Sequence, residues 1–156
     1  MGLFSSFLRF FGLKRDERID SHQTKLIREL KEDHQDLVNL YVKIGKSFQS
    51  KKYKQTVNLL KKFEEMYKLH ILLEDNKFYP YMEKKFKNDP STYELIKNKK
   101  EEMNEITKVL TKFVKKYQKE HNLVSGSFLA DYEQIKDALL ERVKFEETKM
   151  YPLYDS

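Results

Sequence analysis

Apolar residues recur at steps of three and four through four long stretches of this chain, and that spacing leaves few folds open. Such steps line side chains up along one stripe of an α-helix. The first stretch, residues 21–48, carries Leu26, Leu30, His34, Leu37, Tyr41, Ile44 and Phe48, with Ser21 as its expected N-cap. The second, 52–86, carries Val57, Leu60, Phe63, Tyr67, His70, Glu74 and Phe78, and Pro80 marks a kink or break near its end. The third, 92–119, carries Ile96, Met103, Ile106, Leu110, Phe113 and Tyr117. The fourth, 128–151, carries Phe128, Tyr132, Ile135, Leu139, Arg142 and Glu146. Between them, Asn88-Asp89-Pro90-Ser91 reads as a loop with Ser91 as the next cap, and Asn122 to Ser127, with Gly126, reads as another. Only 4 glycines and 3 prolines occur in 156 residues, too few turn residues for a sandwich or barrel. The expected fold is all-α: an antiparallel up-down-up-down four-helix bundle over residues 21–156.

Residues 1–20 stand apart as an N-terminal amphipathic segment and linker. Phe4, Phe7, Leu8, Phe10, Phe11 and Leu13 crowd together ahead of Lys14 and Arg15. The run is too short and too interrupted to span a bilayer, and it lacks the leading basic region and small-residue cleavage site of a secretory signal. Two roles are open to it. Phe4, Phe7, Leu8 and Phe11 would either lie on a membrane surface, giving a peripheral contact through residues 1–15, or cover the bundle. Met1-Gly2-Leu3-Phe4-Ser5-Ser6 also fits the loose myristoylation pattern of a eukaryotic host.

The chain has no cysteine, which excludes disulfides, thiolate metal sites and cysteine nucleophiles. With nothing pointing to secretion, the cytoplasm is the expected compartment. The net charge of +6 raises the question of nucleic acid, but the lysines are interleaved with glutamates along the helices. A solvated helix surface accounts for them, and no nucleic-acid partner is expected. Neither a glycine-rich phosphate loop nor a Gly-x-Ser-x-Gly turn occurs, and the expectation is a protein that is not an enzyme.

The stripes carry polar groups where apolar ones belong. His34 lies between Leu30 and Leu37; His70 and Glu74 lie one turn apart, as do Arg142 and Glu146. An i, i+4 pair projects from one helix face, so both members can address one point. A buried carboxylate without a partner is costly, so it pairs or binds a metal. Imidazole with carboxylate suits iron, manganese or zinc. The two pairs also repeat. His70, Glu74 and Tyr79-Pro80 match Arg142, Glu146 and Tyr151-Pro152 at a constant offset of 72 residues. Asp75 and Glu147 follow the two glutamates as partners of the ligands or as surface charges. Tyr79 and Tyr151 are expected to pack the bundle end with their hydroxyls on polar partners.

On these residues the chain resembles the hemerythrin family, in its HHE cation-binding form, over most of 21–156. The resemblance rests on His34, on His70-x-x-x-Glu74 with Tyr79-Pro80, and on Glu146 with Tyr151-Pro152. In that family two irons share bridging carboxylates. The resemblance implies that His34 and His70 bind the first iron and that Glu74 and Glu146 are the bridges. The sequence departs from the pattern where the third and fourth helices should supply histidines to the second iron: Met103 and Arg142 stand there. A thioether is a poor ligand for ferric ion and a guanidinium is none. The expectation is one iron in a reduced His/Glu site rather than two, with Arg142 replacing the other ion electrostatically through hydrogen bonds to Glu74 and Glu146. A role in iron, oxygen or redox sensing or buffering follows. The alternative is a metal-free interaction module with a protein partner. Ala138-Leu139-x-x-Arg142-x-x-x-Glu146 and Glu32-Asp33-His34 are similar, over a short length, to the regulator-of-sigma-D family of transcription-factor binders.

Overall fold

A computed structural model of the chain describes residues 24–156. The expectations for the N-terminal segment, including Phe4, Phe7, Leu8 and Phe11, and for a Ser21 cap lie outside the described residues. Helix α1 spans Lys25–Gln49, and the Thr24 side chain caps it by accepting the Ile27 N–H at 3.4 Å. Helix α2, Tyr53–Leu73, runs back along it, gives way to a π-turn at Glu74–Phe78, and continues as the short α3, Tyr79–Lys85. Helix α4, Pro90–Lys116, is capped by Asp89 rather than Ser91. Asp89 accepts the Thr92 N–H at 3.3 Å, and Pro90 fills the first turn, where its missing N–H costs nothing. The expected loop after α4 contains a five-residue helix, α5 (Glu120–Val124), before Gly126 reverses the chain at φ 112°. Helix α6, Phe128–Phe145, ends in a second π-turn, Glu146–Met150, followed by α7, Tyr151–Tyr154.

The four long helices α1, α2, α4 and α6 alternate in direction, so the fold is the expected all-α bundle. Its apolar interior falls into two clusters. The larger occupies the middle and one end, where Phe128 meets Phe48, Phe113, Tyr117 and Tyr132 at ring distances of 4.4–5.7 Å. Tyr41 and Tyr132 lock α1 to α6 there. Each hydroxyl donates to the other's main-chain carbonyl, at 2.7 and 2.8 Å, with the rings stacked. The smaller cluster, built from Ile27, Leu30, Phe78, Met82, Ile96 and Met150 with the rings of Tyr79 and Tyr151, closes the other end. The buried polar side chains His34, His70, Glu74, Arg142 and Glu146 lie between the two.

The π-turns have a common cause. Pro80 has no N–H for the Asn76 carbonyl four residues back, and its ring would strike that carbonyl. The helix widens by one residue instead: the Tyr79 N–H bonds the Glu74 carbonyl, five back, and the Tyr151 N–H bonds Glu146 in the same way before Pro152. Residues five apart then share a face. Glu74 and Tyr79 both turn inward, as do Glu146 and Tyr151. Phe128 is wholly buried among four rings, so Phe128→Ala is expected to lower stability by about 3–5 kcal/mol; urea unfolding followed by circular dichroism checks this.

Candidate metal centre

Four helices contribute to the polar layer. From α1, His34 lies 2 % exposed with both ring nitrogens engaged. Its Nδ1 is 2.8 Å from Glu147 Oε2, and its Nε2 is 3.3 Å from Glu146 Oε1. From α2, His70 donates from Nδ1 to Asp33 Oδ2 at 3.0 Å, which turns Nε2 inward, 3.5 Å from Glu74 Oε1. The two imidazole rings are 4.8 Å apart. One donor atom each from His34, His70 and Glu146 lies within 4.8 Å of the others, and all three residues are buried. Donors this close could hold one ion after a small inward adjustment. Of the four residues expected as ligands, three therefore converge, and Glu74 joins through its approach to His70.

Hydrogen bonding leaves this cluster incomplete. With both carboxyls ionised, His70 Nε2, Glu74 Oε1 and Glu146 Oε2 are buried with no hydrogen-bond partner among the described residues. Buried polar atoms are nearly always satisfied, and each exception requires a reason. Here the three atoms are lone-pair donors facing inward, which fits a cation.

The electrostatics follow from burial. Desolvation and the neighbouring Glu146 charge, with a hydrogen bond shared between the two carboxyls, push Glu74 well above the usual carboxyl range. Burial also works against ionised Glu146, but the hydrogen bond and charge of His34, the Glu74 bond and Arg142 outweigh it and bring Glu146 down to about 2. Burial lowers His34, yet its bonds to Glu146 and Glu147 raise it to about 9. His70 is lowered by burial, which its bond to Asp33 only partly offsets. The metal-free core is thus balanced by an imidazolium at His34, a neutral imidazole at His70 and a proton on Glu74.

Arg142 does not make the fork expected on the Glu74–Glu146 pair. Its Nη2 is 3.8 Å from Glu146 Oε2, outside hydrogen-bond reach. The guanidinium spans Glu102, half-exposed at the surface of α4 (Nη1 to Oε2, 3.5 Å), and the Tyr79 hydroxyl (Nη2 to Oη, 3.5 Å). These two partners draw it off the carboxylates while its charge stays beside Glu146. Met103 packs in the core, and its Sδ accepts the Tyr67 hydroxyl at 3.1 Å. Asp75 is half-buried and lines an outer groove with Glu101 and Glu102.

Sequence reasoning missed two members. Asp33 holds His70; the available signal was its place one residue before His34, on the side of α1 that faces α2. Tyr151 packs in the end cluster with its hydroxyl on a polar partner, as expected, but the partner is a member of the site: the hydroxyl donates to Glu74 Oε2 at 3.2 Å, with its oxygen 3.3 Å from His34 Nε2. The signal was the proline after each tyrosine, which forces the π-turn. Beneath the cluster is a cavity of about 40 Å³, walled chiefly by Leu37, Tyr41, Phe63, Leu139 and Val143, large enough for a water molecule.

Fold and site together define an all-α bundle with a candidate cation site in its core. The family model described as the hemerythrin HHE cation-binding domain matches residues 25–154, and the chain belongs to that family. Comparisons with curated proteins and with solved structures find no match. Among the described residues, no helix is long and apolar enough to cross a membrane.

A pH dependence follows for the metal-free protein. His34 in the folded chain holds its proton up to about 9 against 6.5 unfolded, so its contribution is fully present below pH 6.5 and is lost as pH rises through 9. The raised Glu74 acts in the same direction. Chelator-treated protein is expected to lose on the order of 3 kcal/mol from His34 between pH 6 and 10. Thermal melts across that range, with His34→Gln as the reference, read it; a flat profile contradicts the assignment.

Proposed function

We propose that this domain holds a single metal ion through His34, His70 and Glu146, with Glu74 beside them, and that the ion is iron. The carrying observation is the convergence of three buried donor atoms within 4.8 Å, two of the three residues presenting atoms with no hydrogen-bond partner. Two imidazoles and a carboxylate suit iron, manganese and zinc, and the hemerythrin likeness selects iron. Asp33 orients His70, and Glu147 orients His34, as carboxylates behind histidine ligands do. The positions that would serve a second iron hold Met103 and Arg142, and Arg142 contributes a fixed positive charge 3.8 Å from Glu146 instead. Bound iron would give the core a one-electron redox centre.

Reversible oxygen carriage as peroxide draws one electron from each of two irons, so a one-ion site fits sensing or buffering of iron, oxygen or redox state better. The cavity of about 40 Å³ beside the cluster has room for a water or a diatomic gas. On the strength of the one-ion site we read the protein as a binder rather than an enzyme, with the cytoplasm as its proposed compartment.

A second reading has its own support. His34 charged between Glu146 and Glu147, with Arg142 nearby, neutralises the core without metal. On that reading the bundle is an interaction module with a protein partner, of the kind regulator of sigma D represents.

Metal analysis of anaerobically purified protein separates the two. We expect about one iron per chain, lost in His34→Ala and in His70→Ala. Two irons would overturn the single-ion assignment, and none under any loading condition would leave the interaction module in its place.

A further inference from the structure

We propose that Tyr151 is a further ligand of this ion, binding through its phenolate oxygen. The inference rests on the single-ion reading above and extends it to a residue type outside the His/Glu set.

Spacing carries the argument. Two donor atoms on one first-row ion, each about 2.0–2.2 Å from it, stand about 3.0–3.5 Å apart when adjacent. His34 Nε2 lies 3.3 Å from Glu146 Oε1 and 3.3 Å from Tyr151 Oη. Tyr151 Oη lies 3.2 Å from Glu74 Oε2, and Glu74 Oε1 lies 3.5 Å from His70 Nε2. The donor groups of Glu146, His34, Tyr151, Glu74 and His70 thus form an arc in which every step matches adjacent ligands. The phenol oxygen stands in the middle of that arc, not behind it.

Tyr151 is held there firmly. It is 1 % exposed, its ring stacks on His34 at 5.7 Å, and the edge of Phe78 meets it at 5.3 Å. The π-turn aims it inward together with Glu146. The repeat supplies a control in the same molecule. Tyr79 occupies the equivalent place after Glu74, but its hydroxyl accepts from Arg142. A guanidinium donor occupies one tyrosine and leaves the other facing the imidazole.

The chemistry balances without a further reagent. A phenolate is a hard, anionic oxygen donor, suited to ferric iron. Coordination breaks the Tyr151 O–H bond and forms the metal–oxygen bond, and the phenol proton is released to solvent water together with the one that Glu74 holds in the metal-free core. In the metal-free core the phenol keeps its proton; a cation among these donors replaces repulsion from the carboxylates with attraction.

Phenolate bound to ferric iron absorbs visible light by charge transfer, whereas imidazole and carboxylate ligands give no such band. The test loads the full chain with ferric iron and measures iron content, visible absorption and resonance Raman phenolate modes. Wild type and Tyr79→Phe are expected to be coloured, and Tyr151→Phe to lose the band while still binding iron through His34, His70 and Glu146. Wild type that binds iron without the band, or Tyr151→Phe that retains it, overturns the ligand assignment alone. Wild type that binds no iron overturns both this assignment and the single-ion reading.

Discussion

Two carboxyl groups, Glu74 and Glu146, are buried at 0 % and 1 % exposure in the middle of a helical bundle, and the surrounding layer is arranged to make that tolerable. An isolated buried carboxylate is too costly to keep, so each needs a proton, a cation or a donor. Glu146 receives His34 on one oxygen and the field of Arg142 near the other. Glu74 receives Tyr151 and, in the absence of metal, a proton. The apolar clusters above and below keep water away, which strengthens every one of these interactions. A core that balances itself with protons when metal-free, and whose buried lone pairs lack partners once both carboxyls are ionised, is suited to exchanging those protons for a cation.

The geometry of that layer is set by backbone more than by side-chain choice. An uninterrupted α-helix places residues i and i+4 on one face and turns i+5 away. The prolines at 80 and 152 prevent the regular pattern, and the widened turns bring glutamate and tyrosine to the same side in both halves. π-Turns recur at functional positions in helices for this reason: they add an inward side chain without lengthening the helix. The same device appears twice, 72 residues apart, but its two copies have different partners. His70 stands before one and Arg142 before the other; Arg142 bonds the tyrosine of the first copy, Tyr79, while the tyrosine of the second, Tyr151, faces His34 of α1.

Much of this was legible in the sequence. The stripes through α1, α2, α4 and α6 follow from helical period alone, and nearly every residue assigned to them is buried; Leu26, Phe48, Ile106 and Leu139 are half-buried at the edges. His34, His70 and Glu146 stood out because a polar side chain on an apolar stripe is conspicuous. Capping was read less well. Asp89 and Ser91 both suit an N-cap, and only the position of Pro90 in the first turn decides between them. Arg142 was placed on the correct face with the wrong partners. Its reach is long, and the competing acceptors, Glu102 and Tyr79, lie on other segments that a linear reading does not bring together. Asp33 was hidden for the opposite reason: it looks like one of many surface acids until α2 is packed against it.

That last contact gives the core an outward address. Asp33 is 36 % exposed, while the imidazole it holds is almost wholly enclosed. His70 therefore bridges the wall of the bundle, one nitrogen among the buried donors and the other bonded to a group that meets the solvent. The electron-donating strength of that ring is set partly from outside, by whatever the Asp33 carboxylate meets. An event on the face between α1 and α2, whether a change of salt or the approach of another molecule, is thus one hydrogen bond away from the most protected atoms in the protein.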